Sequence, residues 1–183
     1  MKFRLNTTAL QFSVTFAATL WTMGAAQSQS RLDEDFEDEY KPWQEIAVQL
    51  PAAPQARDLL PFYVSATATQ SFAIDAKSLS TGSDGVVRYT LIAESPGGAK
   101  NITYEGIRCG SFERKIYAMG QPDGNWSRSR RNQWERIAQN AANRHHSVLA
   151  REYFCENSAV AGTAQQMRER IRQQEPLTRQ LSD

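Results

Sequence analysis

Four sets of side chains in this sequence have types and spacings that could carry chemistry. Cys109 and Cys155 are the two cysteines, and His145 and His146 are the two histidines, side by side. Glu94, Glu105 and Glu113 recur along one β-rich stretch, and Arg128, Arg130, Arg131, Arg136 and Arg144 crowd the region after Trp126. A Cys109 thiolate with His145 as its base would form a nucleophile pair. Two of the glutamates facing each other across roughly 5–9 Å could cleave a glycoside. Guanidinium forks beside an aromatic ring suit a phosphate or a carboxylate. The adjacent histidines would point about 100° apart on a helix, so they do not suit one metal ion.

Other chemistries lack their motifs. No Gly-x-Ser-x-Gly elbow, Ser-x-x-Lys pair, His-Glu-x-x-His helix, phosphate-binding loop or dinucleotide fingerprint occurs. No cofactor, no metal-ligand set and no catalytic residue is therefore assigned.

The compartment decides what the cysteines do. Lys2 and Arg4, the apolar run Ala9 to Trp21 and the small residues Gly24-Ala25-Ala26 read as a signal peptide over residues 1–26, cleaved near Ala26. No later stretch is apolar enough to cross a membrane. Export to an oxidising space makes Cys109 and Cys155 a disulfide pair, which removes the thiolate that a Cys–His nucleophile needs. The net charge of +1 hides an asymmetry: Asp33 to Glu39 holds six acids in seven residues, whereas Trp126 to Arg151 holds six arginines against Glu135. The acidic run reads as solvated chain, without the ligand spacing of a calcium loop. The arginines, with Trp126, are the candidate anion-binding set.

These residues need elements to position them. Residues 27–57 read as an acidic and then proline-containing extended segment, with Lys41 to Arg57 packed along a domain edge. Residues 58–155 read as the folded domain, and residues 156–183 as a weakly helical tail. Strands are expected at Asp58–Val64 and Phe72–Asp75, followed by a meander over Val86–Glu94, Asn101–Cys109 and Phe112–Met119. A Pro96–Ala99 loop sets Ala93 opposite Ile102, Leu91 opposite Tyr104 and Tyr89 opposite Gly106. A two-residue Gly110-Ser111 hairpin, with Gly110 at positive φ, sets Arg108 opposite Glu113 and Tyr117 opposite Tyr104. Glu105 then faces Thr90 and Ile116, away from the main apolar face. The apolar pattern changes face past Gly106, which fits either a β-bulge at Gly106 or a sheet covered on both faces near Cys109. Helical spacing predicts helices over Asn132–Asn143 and Arg144–Tyr153, and a capped but loosely held one over Thr163–Gln173. The result is an α+β domain: an antiparallel sheet of about five strands, two short helices after it and one disulfide.

Several landmarks together resemble the cryptic neisserial protein-like family, small exported proteins of Gram-negative bacteria. They are Trp43-x-Glu45 with Pro51 and Pro54, Leu59-Leu-Pro-Phe62, Asp84-Gly-Val-Val-Arg-Tyr89, Tyr104-Glu-Gly-Ile-Arg-Cys109, Tyr117-Ala118, Trp126, Trp134 and Tyr153-Phe-Cys155. The resemblance implies a periplasmic address and carries over no catalytic residues. It also implies a lipid-modified N-terminal cysteine, from which this sequence departs, since none follows the apolar run. The reading reached is a periplasmic, non-enzymatic protein that binds or supports an anionic envelope component: a lipid phosphate, lipopolysaccharide or an acidic protein. Nucleic acid is not an expected partner. The competing reading is an envelope hydrolase of glycan or peptide that uses carboxylates on the sheet.

Overall fold

The computed structural model describes residues 42–138 and 140–177; the expected signal segment and the acidic run lie outside them. Strands β1 (Leu59–Phe62) and β2 (Ser71–Asp75) form a hairpin, and β3 (Ser80–Thr81) precedes the meander β4 (Val86–Glu94), β5 (Lys100–Arg108) and β6 (Glu113–Gly120). β7 (Trp126–Arg128) and β8 (Glu135–Arg136) both pair with the outer edge of β6, and β3 pairs with β4. The sheet is antiparallel with eight strands, not about five; the additions are β3, β7 and β8, of two or three residues each. Strands that short bury too little to leave a period-2 pattern in the sequence. β9 (Cys155–Glu156) and β10 (Ala159–Val160) make a separate hairpin. The helices are α1 (Arg144–Val148), which runs on into a π-helical turn over Leu149–Phe154, and α2 (Ala164–Gln173).

The meander is present, with its register moved by one residue on its first side. Leu91 faces Thr103 and Tyr89 faces Glu105, because the loop is Ser95–Ala99 rather than Pro96–Ala99. Ser95 closes it: its N–H bonds to the Ala99 carbonyl, and its hydroxyl accepts from the Ala99 N–H. A one-residue slip moves every side chain to the other face, so Glu105 belongs to the inner face, not the outer. On the other side Arg108 does face Glu113, but the turn spans Cys109–Phe112, and Phe112, not Gly110, carries the positive φ of 54°. The bulge exists one step from Gly106, between Tyr104 and Glu105, where Tyr117 is the extra residue of β6. Tyr104 therefore faces Ala118 rather than Tyr117. Gly106 is instead the close approach over which Tyr117 lies: a Cβ there would stand 2.6 Å from the phenol oxygen.

Both sheet faces are covered. On the inner face Val87, Tyr89, Leu91 and Ile107 pack with Leu149, Tyr153, Phe154, Met167 and Ile171 from the helices. On the outer face Tyr104, Tyr117 and Ala118 pack under Val48, Leu50 and Trp126. The extended segment 42–55 thus lies across a sheet face rather than along an edge. α2 starts at the expected capping box of Thr163 and Gln166, and it is held firmly, since Met167 and Ile171 are fully buried.

Among the described residues of 132–143 the expected helix does not form; only Ala141–Asn143 make a short 3-10 turn. Trp134 goes to the outer face, against Trp43 at 5.8 Å and Tyr117 at 6.4 Å, whereas Ile137 joins the inner core. A helix would put residues three apart on one side; extended chain puts them on opposite sides. Pairing with β6 at Glu113 and Arg114, and the bond from the Ile137 N–H to the Phe112 carbonyl, select the extended form. The helix over Arg144–Tyr153 is present, in its α and π portions, and delivers Phe154 and Cys155 to the sheet as expected.

Candidate functional site

The arginine-rich stretch builds a cleft of about 410 Å³ along β6. β7 pairs with β6 at Ala118–Gly120 and β8 pairs with it at Glu113–Arg114, so the edge is open between them. Arg128, Arg130 and Arg131 line this opening with Arg114 and Lys115, against one carboxylate, Glu135. Arg114 reaches Glu135 at 3.3 Å, and Lys115 reaches Glu45 at 2.7 Å. The other three arginines are exposed and have no ion-pair partner among the described residues. Three unpaired guanidinium forks over two paired cations make a focused positive field suited to an anion.

The rest of the expected set lies elsewhere. Arg136 lines a separate cavity beside Cys109 and Cys155, and Arg144 lines another beside His145. Trp126 supports the fold: its indole donates to the Pro51 carbonyl at 2.7 Å and its ring packs on Tyr104. Arg114 and Lys115 were not in the expected set. Adjacent basic residues on a strand look like solvated charge, and only the pairing of β7 and β8 reveals that they floor a cleft.

The three glutamates do not assemble into a facing pair. Glu94 pairs with Lys100, and Glu113 is held by Arg108 and Ser111. Glu105 is sealed in the core at 2% exposure; it receives Thr103 at 2.6 Å and Tyr89 at 3.2 Å, and lies 2.7 Å from His146 Nε2. Burial alone would raise its pKa, but the His146 charge and bond and the Thr103 hydroxyl outweigh that, so it falls to about 2. His145 stacks on Phe72 at 4.6 Å, and burial together with the neighbouring His146 lowers it to about 4. Cys109 and Cys155 are joined in a disulfide, which removes the thiol that a Cys109–His145 pair would need.

A second cluster binds the extended segment to the outer face. Glu45 accepts from Lys115 and from Tyr117 at 2.6 Å, and lies 3.6 Å from the buried Arg88. Arg88 in turn holds Asp84 at 2.6 Å; Asp84 accepts the Ile46 N–H, and its carbonyl accepts the Trp43 indole. Arg108 sits over Trp43 at 4.2 Å and over Trp134 at 5.6 Å. Burial works against ionisation of Glu45 and Asp84, yet their cation bonds keep both below the usual carboxylate range. Most of the landmarks that stand far apart in sequence meet in this clasp.

Among the described residues no group of three or more His, Cys, Asp or Glu side chains could hold a metal ion, and no helix is long and apolar enough to cross a membrane. A family model, that of the CNP1-like family, matches residues 38–172. No curated protein and no solved structure matches the chain.

Proposed function

The chain belongs to the CNP1-like family, the cryptic neisserial protein family that its landmarks resemble, and we propose that it is an exported, non-enzymatic protein that binds an anionic component of the bacterial envelope. One observation carries this reading. Three exposed arginines, Arg128, Arg130 and Arg131, gather around one cavity at the β6 edge, and none of them has an ion-pair partner among the described residues. The alternative, a hydrolase working through carboxylates, has less support: Glu94, Glu105 and Glu113 are each engaged in structural pairs.

The reading is tested by incubating the purified protein with washed envelope material from a Gram-negative bacterium. Retention is expected at low salt and should fall as ionic strength rises, since screening shortens to about 8 Å near physiological salt. Arg128→Ser/Arg130→Ser/Arg131→Ser should abolish most of it. Retention that ignores both salt and these substitutions would return the arginines to a solvated surface.

A further inference from the structure

The cleft's size and neighbours restrict its ligand. Its volume of about 410 Å³ lies near the lower end of the roughly 300–1,000 Å³ of sites that enclose a small molecule. A phosphate headgroup fits such a space, and a lipid with two acyl chains does not. Beside the cleft, a second cavity of about 260 Å³ shares Lys115, Arg128 and Ser129 with it and is lined by Ile46. Ile46 is 43% exposed, and Met119, on the wall of the cleft, is 47% exposed. A single exposed apolar side chain is ordinary. Two of them flanking three unpaired arginines match an interfacial surface, with cations at the lipid phosphates and apolar groups at the first methylenes.

Resting on the anion-binding reading above, we propose that this patch docks on an anionic bilayer, with the cleft holding the phosphate of one lipid while that lipid's chains stay in the membrane. The protein then works at a membrane surface and does not carry lipid through water. Each arginine near an anionic surface strengthens attachment about fivefold, so the three together contribute about a hundredfold.

The test uses vesicles of phosphatidylglycerol mixed with phosphatidylcholine, and vesicles of phosphatidylcholine alone. Sedimentation with the first and not the second is expected, with a loss of about a hundredfold in Arg128→Ser/Arg130→Ser/Arg131→Ser at an unchanged melting temperature. Soluble glycerol phosphate should compete for the wild-type protein. Ile46→Ser, whose side chain lies beside the cleft and not on its wall, should weaken vesicle binding several-fold and leave binding of glycerol phosphate unchanged, which a purely soluble ligand would not produce. Movement of labelled phosphatidylglycerol between vesicles at a rate raised by the protein would overturn the docking proposal, because the chains would then have to leave the membrane. Binding of glycerol phosphate without any vesicle binding would overturn docking and leave the anion-binding reading standing. Binding of neither, with envelope retention also absent, would sink both.

Discussion

Glu105 and His146 show what one pair of side chains does to this protein's response to acid. A carboxylate sealed in a core is costly unless every acceptor site is met; here His146, Thr103 and Tyr89 meet them. His145 beside the pair has its folded pKa lowered to about 4, first by burial and then by His146, against an ordinary value of about 6.5 in the unfolded chain. As pH falls from about 6.5 towards 4, the unfolded state gains a proton that the folded state refuses, so stability declines through that window. The shift corresponds to up to about 3 kcal/mol. Glu105 acts lower: its contribution is complete above about 4.5 and is lost as pH falls towards 2. Melting temperatures measured from pH 7 to 3 should therefore fall in two stages. His145→Phe, which keeps the stack on Phe72, should flatten the upper stage and leave the lower. An unchanged profile in that variant would show that His145 does not govern the upper window.

Among the elements, the segment 42–55 matters most, although it contains no helix or strand. Glu45 is its anchor, since Lys115, Tyr117 and Arg88 all turn towards it. Glu45→Ala leaves the buried Lys115 ammonium unpaired, which should cost about 2 kcal/mol or more. Hydrogen exchange should then rise in residues 43–51 and along the outer face of β6, while α2 and β4 keep their protection. Uniform loss of protection would mean that the segment is part of one cooperative unit rather than a separately held strap.

For the molecule as a whole, the disulfide joins the β5–β6 turn of the meander to the residue that follows the π-helical segment, across 46 residues of sequence. Closing a loop of that length stabilises a fold by roughly 4 kcal/mol in the chain-entropy account, a large share of the roughly 5–15 kcal/mol typical of a domain. Cys109→Ala and Cys155→Ala should each lower the melting temperature by a similar amount, and the double variant should be little worse than either. Two reactive thiols in the oxidised, folded protein would contradict the bond. Export is the proposal that makes the bond reasonable, and intact mass measured from a Gram-negative host should match a chain starting near Gln27. A full-length species confined to the cytoplasm would count against it.

Local chemistry alone determined several features here. The β-branched and aromatic runs specify the five principal strands, and the Thr163–Gln166 spacing specifies the α2 cap. Each depends on a residue's own preference or on partners a few positions away. Tertiary structure decided what depends on distant partners. Ser95 lengthened a loop by one residue, and that slip carried Glu105 from the outer face into a core pair with His146. The edge of β6 drew Glu135 and Arg136 into strand β8, so an apparent helix became extended chain and part of the wall of the basic cleft. Side chains at Trp43, Glu45, Asp84, Arg88, Arg108, Tyr117 and Trp134 stand out in the sequence as landmarks, but nothing in their spacing says that they touch. They form a clasp only because the sheet brings them together, and contact across such separations leaves no periodic trace in a single sequence.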